Sequence, residues 1–107
     1  MSVLNRRQQI EAMLADEPND PELRYMLAME HASAGDDAAA ARCFADLLER
    51  APDYPPAYHM AARTLQRLDR NAEAADLLRR GIPIALARKD EHAAGEMQQL
   101  LEMLEMD

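Results

Sequence analysis

From Leu27 to Pro52 the chain reads LAMEHASAGDDAAAARCFADLLERAP. Gly35 and two aspartates divide this stretch into two runs of strong helix formers, and Pro52 closes the second run. From Ala61 to Leu86, 34 residues further on, the chain reads AARTLQRLDRNAEAADLLRRGIPIAL. The two stretches align without a gap. Ala28 pairs with Ala62, Ala40 with Ala74, Phe44 with Leu78 and Leu48 with Ile82. Gly35 pairs with Asp69, and Pro18 stands one period before Pro52. A fixed period of this length predicts stacked helical hairpins, because one hairpin is too small to bury its own apolar face.

Composition agrees with that reading. The chain has 107 residues, 4% of them aromatic and no Trp. This length sets the expectation of one domain with a modest core. Ala, Leu, Met, Glu, Arg and Gln dominate while Val and Ile are scarce, which predicts an all-α fold. The net charge is −8, and Lys89 is the only lysine among twelve basic residues. The long-range field of such a surface repels phosphate, which argues against nonspecific nucleic-acid or anionic-membrane binding. An acidic, Lys-poor surface is ordinary for a soluble protein, suits high salt, and also arises where a GC-rich genome exchanges Lys for Arg. The lone Cys43 excludes an internal disulfide framework and a cysteine zinc cluster. No apolar run approaches the roughly 20 residues of a membrane span, and residues 1–7 lack a signal-peptide core, so a cytoplasmic location is expected.

Six helices follow from the pattern. The first is expected over residues 3–16, capped by Ser2, with Leu4, Ile10, Met13 and Leu14 inward. Pro18 stops it, Asp20 caps the second helix, and Pro21 suits its first position. The third, capped by Asp36 or Asp37, carries a stripe of Ala40, Phe44, Leu47 and Leu48. The fourth turns Tyr58, Ala61, Ala62, Leu65 and Leu68 inward. Asn71 is the expected cap of the fifth, which carries Ala74, Ala75, Leu77, Leu78 and Ile82. Pro83 either breaks this helix near Gly81 or bends it, and the helical phase of Ile82, Ala85 and Leu86 favours a long, bent helix. The sixth starts after Asp90 and ends near Met106, with Ala93, Met97, Leu100, Leu101 and Leu104 inward.

These residues resemble the tetratricopeptide repeat family. Residues 21–54 match one full copy, with Leu27-Ala28, His31, Gly35, Ala40, Phe44 and Pro52 at the family's spacing. Residues 55–88 match a second through Tyr58, Ala61-Ala62, Leu65, Ala74 and Leu78, with Asp69 in place of the turn glycine and Leu86 in place of the closing proline. Residues 1–20 look like the second helix of a preceding repeat, and 89–107 like a capping helix. The resemblance implies a scaffold whose first helices line a concave groove for a peptide or protein. The residues it assigns to that groove are Tyr25 and Met29, with Ala32 and Ser33, from the first copy, then His59, Met60, Arg63, Gln66 and Arg67 from the second. Some members grip a chaperone's C-terminal carboxylate with Lys and Asn. The matching positions here hold Tyr25, Met29 and Met60, which argues against that activity.

Arg63, Arg67 and Arg70 stand at spacings of four and three, so one helical face is expected to gather positive charge for a partner's carboxylate, unless nearby acids already pair with it. His31 replaces a packing residue, His59 is the candidate groove histidine, and His92 is expected at the surface. No pair of histidines has metal-binding spacing, so no metal or cofactor is expected. Cys43 beside Phe44 is expected to be a buried, inert thiol, and no nucleophile-and-base pattern points to catalysis. Met103 and Met106 fall off the core stripe of the last helix, as a frayed end or as a patch for a partner or a second copy. The expected function is thus non-catalytic binding of a protein or peptide, possessing an acidic group, in the groove. The alternative is structural assembly or homodimerisation through the Met-rich last helix.

Overall fold

The computed structural model describes residues 3–106. They form six helices and, among the described residues, no strand: α1 (Arg6–Asp16), α2 (Pro21–Ser33), α3 (Asp37–Arg50), α4 (Pro55–Arg67), α5 (Asn71–Ala87) and α6 (Glu91–Leu104). They fall into two compact units, one ending at Pro52 and the other beginning at Asp53. In the first unit α1 packs on α2 and α2 on α3; in the second, α5 lies against α4 and α6, and α6 also touches α4.

The period is visible in the element starts. Pro21 and Pro55 open α2 and α4, and Asp37 and Asn71 open α3 and α5, each pair 34 residues apart. Helix α6 opens 36 residues after α4, because α5, with 17 residues, outruns α3, with 14. Pro83 sits inside α5 without breaking it, so the continuous alternative holds.

Two positions in the repeat share one turn. After α2, Asp36 N–H donates to the His31 carbonyl and Gly35 N–H to that of Ala32, with Gly35 at φ 82°. After α4, Arg70 N–H donates to Leu65 and Asp69 N–H to Gln66, with Asp69 at φ 59°. The end of α5 repeats the pattern with Lys89 at φ 60°. These bonds satisfy the last carbonyls of each helix, but they require the left-handed conformation, which is free of steric cost only for glycine.

The expected stripes form the two cores. Ala40, Phe44, Leu47 and Leu48 are buried in the first unit with Ile10, Leu14 and Ala28. Tyr58, Ala61, Ala62, Leu65, Ala74, Ala75, Leu78, Ala94, Met97 and Leu100 are buried in the second. Leu68, Leu77, Ile82, Ala93, Leu101 and Leu104 are only half-buried.

Helix α1 departs from expectation. It begins at Arg6, where Asn5 accepts from Gln8 N–H at 2.8 Å and the Gln8 side chain accepts from Asn5 N–H in return. That reciprocal cap fixes the start, and Leu4 lies outside the helix. Ser2, the expected cap, is outside the described residues. Leu4 is 48% exposed and Met13 45%, because among the described residues this helix packs chiefly on α2. Asn71 does not cap α5; it is already helical, and Arg70 holds the cap position without a side-chain bond. Of the two candidates before α3, Asp36 caps, accepting from Ala39 N–H at 3.0 Å.

Gly81 is the tightest point of the second unit. A Cβ there would lie 2.6 Å from Tyr58 Cβ and 2.9 Å from Met97 Sδ. Gly81→Ala therefore lowers stability by about 2–3 kcal/mol in urea unfolding, since Tyr58 must move at its own Cβ. Lys89→Gly raises it by about 0.5–1 kcal/mol by relieving the left-handed strain at an exposed turn, while Gly35→Ala lowers it by about 1 kcal/mol.

Candidate functional site

Helix α4 presents two unlike faces. Tyr58, Ala61, Ala62 and Leu65 turn into the second unit, and the Arg80 guanidinium of α5 lies 5.8 Å over the Tyr58 ring. Thr64, fully buried, donates its hydroxyl to the Met60 carbonyl at 2.8 Å, and Arg67 donates to Thr64 Oγ1 at 3.3 Å. The other side carries the expected site residues. His59, Met60 and Gln66 are half-buried, while Arg63 and Arg67 are exposed.

Helix α6 adds a carboxylate to that side. Glu96 Oε2 lies 4.0 Å from His59 Nδ1, and its Oε1 lies 2.8 Å from His92 Nε2. His92 is at the surface, with its side chain 87% exposed, whereas that of His59 is 17% exposed. Burial pushes the His59 pKa below the ordinary 6.5, Glu96 raises it, and Arg63 lowers it further. The balance keeps the imidazole neutral at neutral pH. Among the described residues no group of His, Cys, Asp and Glu is arranged to hold a metal ion.

The three arginines do not act as one stripe. Arg63 and Arg67 lie on α4, but the helix ends there. The left-handed turn at Asp69 carries Arg70 away to Glu73, with Nε 2.6 Å from its carboxylate. Spacing alone could not show this, because it assumed helical rotation through the turn. Arg63 makes no ion pair with another described residue.

In the first unit, Tyr25 and Met29 of α2 are half-buried. The Tyr25 ring meets Phe44 edge-on, with centroids 6.1 Å apart, so it is held by the core beneath it. Beside it, Arg24 donates from Nε to the Pro18 carbonyl at 2.6 Å and from Nη1 to Asp46 at 2.6 Å. Arg50 reaches the same turn, donating to Asn19 Oδ1 at 2.7 Å. In the second unit, Arg88 reaches the Asp53 carbonyl and carboxylate. These clamps were not legible as such, since no period links the arginines. Cys43 is half-buried rather than buried, and desolvation pushes its thiol above the ordinary 9.0.

Sequence and structure comparisons give the same picture. The tetratricopeptide repeat family model matches residues 21–64. A tetratricopeptide repeat domain protein from Salinibacter ruber, solved in solution, is 33% identical, with 82% of this chain and 89% of that chain covered and a TM-score of 0.77. The chain belongs to the tetratricopeptide repeat family. A Bordetella parapertussis protein of known solution structure is 27% identical, covering 95% of this chain and 89% of its own, at a TM-score of 0.81. The type III secretion translocator chaperone SycD of Yersinia enterocolitica shares the fold at a TM-score of 0.87 and 15% identity, covering 94% of this chain and 70% of its own. No curated protein matches the chain. No helix among the described residues is long and apolar enough to cross a membrane.

The His59 environment has a measurable consequence. With its folded pKa below that of the unfolded chain, the unfolded state takes up the proton first as pH falls. His59 therefore costs stability below about pH 6.5, a cost that grows until the folded pKa is reached. His59→Gln loses less thermal stability between pH 7.5 and pH 5 than the parent chain does, as read by circular dichroism melts. An equal loss in both would show that His59 titrates as it does in the unfolded chain.

Proposed function

We propose that this tetratricopeptide repeat protein is a non-catalytic cytoplasmic scaffold that binds a protein or peptide bearing an acidic group. The contact residues are His59, Met60, Arg63, Gln66 and Arg67 on α4, with Tyr25 and Met29 on α2. The observation that carries the reading is Arg63, an exposed arginine without an ion pair to another described residue, beside half-buried His59 and Met60. Among the described residues Arg42, Arg80 and Lys89 likewise make no ion pair, but of these four cations only Arg63 stands on α4 with the other contact residues. A guanidinium there offers forked bonds to a carboxylate, and methionine supplies an adaptable apolar contact next to it. The family supports the coarser statement, a protein-interaction role.

A second reading, assembly through the last helix, is favoured by Met103 at 61% and Met106 at 80% exposure on α6 and just beyond it. Two apolar side chains this open, three residues apart, offer a surface that a partner can cover.

Panning a displayed peptide library on the purified chain tests the first reading. Enriched peptides carry a carboxylate next to apolar residues, and a synthetic copy loses about tenfold affinity with Arg63→Ala, roughly the value of one charge-assisted hydrogen bond. Unchanged affinity in that variant, or enrichment of basic peptides, rejects the acidic-group reading.

A further inference from the structure

An acid stands beside the site proposed for an acid. Helix α6 packs on α4 within the second unit and brings Glu96 to His59. Glu96 Oε2 is 4.0 Å from His59 Nδ1, while its Oε1 is 2.8 Å from His92 Nε2. Arg63 stands four residues after His59, on the same face of α4. Arg63 and Glu96 are both exposed, and no ion pair joins them. The half-buried His59 ring thus has a carboxylate and a guanidinium as neighbours, and these are the charges that bear on it. From α5, the other helix packed on α4 in this unit, Arg80 goes to the Tyr58 ring instead. His92 lies at the surface, where solvent screens its charge.

A carboxylate docked on Arg63 alters the balance at His59. It offsets the guanidinium that opposes protonation and adds a second negative charge near the ring. With His59 neutral, that carboxylate and Glu96 would repel one another. With His59 protonated, a cation stands between the two anions. Imidazolium donates from both ring nitrogens, so Nδ1 serves Glu96 and Nε2 is left for the second anion.

We infer that the partner's carboxylate is bound together with a proton: His59 becomes imidazolium in the complex, joins Arg63 as a second cation, and makes binding tighten as pH falls. This rests on the acidic-group reading of the site and adds its regulation. A group whose pKa rises on binding takes up a proton. Affinity therefore grows as pH drops from the bound pKa towards that of the free chain, and levels off below it. A rise of about one unit corresponds to a tenfold gain. The partner's own carboxylate, with a pKa of about 4, stays charged above about pH 5.

The probes are peptides enriched from the displayed library on the full chain at about pH 6 and about pH 7.5. Calorimetry in two buffers of different ionisation enthalpy reads affinity and proton uptake together. On the parent chain affinity rises about tenfold between about pH 7.5 and about pH 5.5, with proton uptake, and the His59 ring signals in NMR titrate about one unit higher in the complex. His59→Gln flattens that rise, whatever its affinity at pH 7.5, and His92→Gln keeps it. Acid unfolding would weaken binding as pH falls, the opposite sign, so it does not imitate this result. No enriched acidic peptide at either pH, or affinity unchanged by Arg63→Ala, overturns the acidic-group reading and the inference with it. The inference alone is overturned by an Arg63-dependent peptide that binds equally at both pH values, or whose rise survives His59→Gln or is lost in His92→Gln.

Discussion

Everything in this fold depends on how closely its helices approach. Ala28, Ala40, Ala62, Ala74 and Ala85 have no exposed surface at all, and at Gly81 even a methyl group would collide with Tyr58. With four aromatic residues in the chain, the cores cannot be filled by large rings. They are filled by bringing backbones together over small side chains and setting a few large ones, Phe44, Leu47, Tyr58, Leu78 and Met97, into the spaces left. Such packing tolerates little change in side-chain volume.

The close approach sets what the surface can do. Once the alanine-rich sides of α4 are committed inward, His59, Arg63, Gln66 and Arg67 are left on the opposite side by the 3.6-residue turn. Tyr25 of α2 is steadied by Phe44 below it. Contact residues held on rigid helices lose little freedom on binding, which suits a scaffold.

The legible part of the fold is the part that repeats. Ala28 and Ala62, Ala40 and Ala74, and Phe44 and Leu78 each appear twice in one register, and every one of them is buried. The capping roles of Asp20, Asp36 and Asp90 could be read because a short acceptor before an apolar run has one local use. Reading failed where no period supports it. The start of α1 went to Asn5 and Gln8 because their reciprocal bonds outweigh the apolar pull of Leu4. Arg70 left the expected stripe because a left-handed aspartate ended the helix.

By itself the sequence determined the all-α repeat, the number of helices, the inward faces of α3 and α4, and a continuous α5 through Pro83. These follow from local periodicity and turn chemistry, which act over a few residues. Only the tertiary structure decided that Glu96 stands beside His59, that Arg24 and Arg50 hold the turn before α2, and that Gly81 admits Tyr58 and Met97. Those contacts join residues far apart in the chain, and helix α6 lies 36 rather than 34 residues beyond α4, outside the register from which they could have been counted.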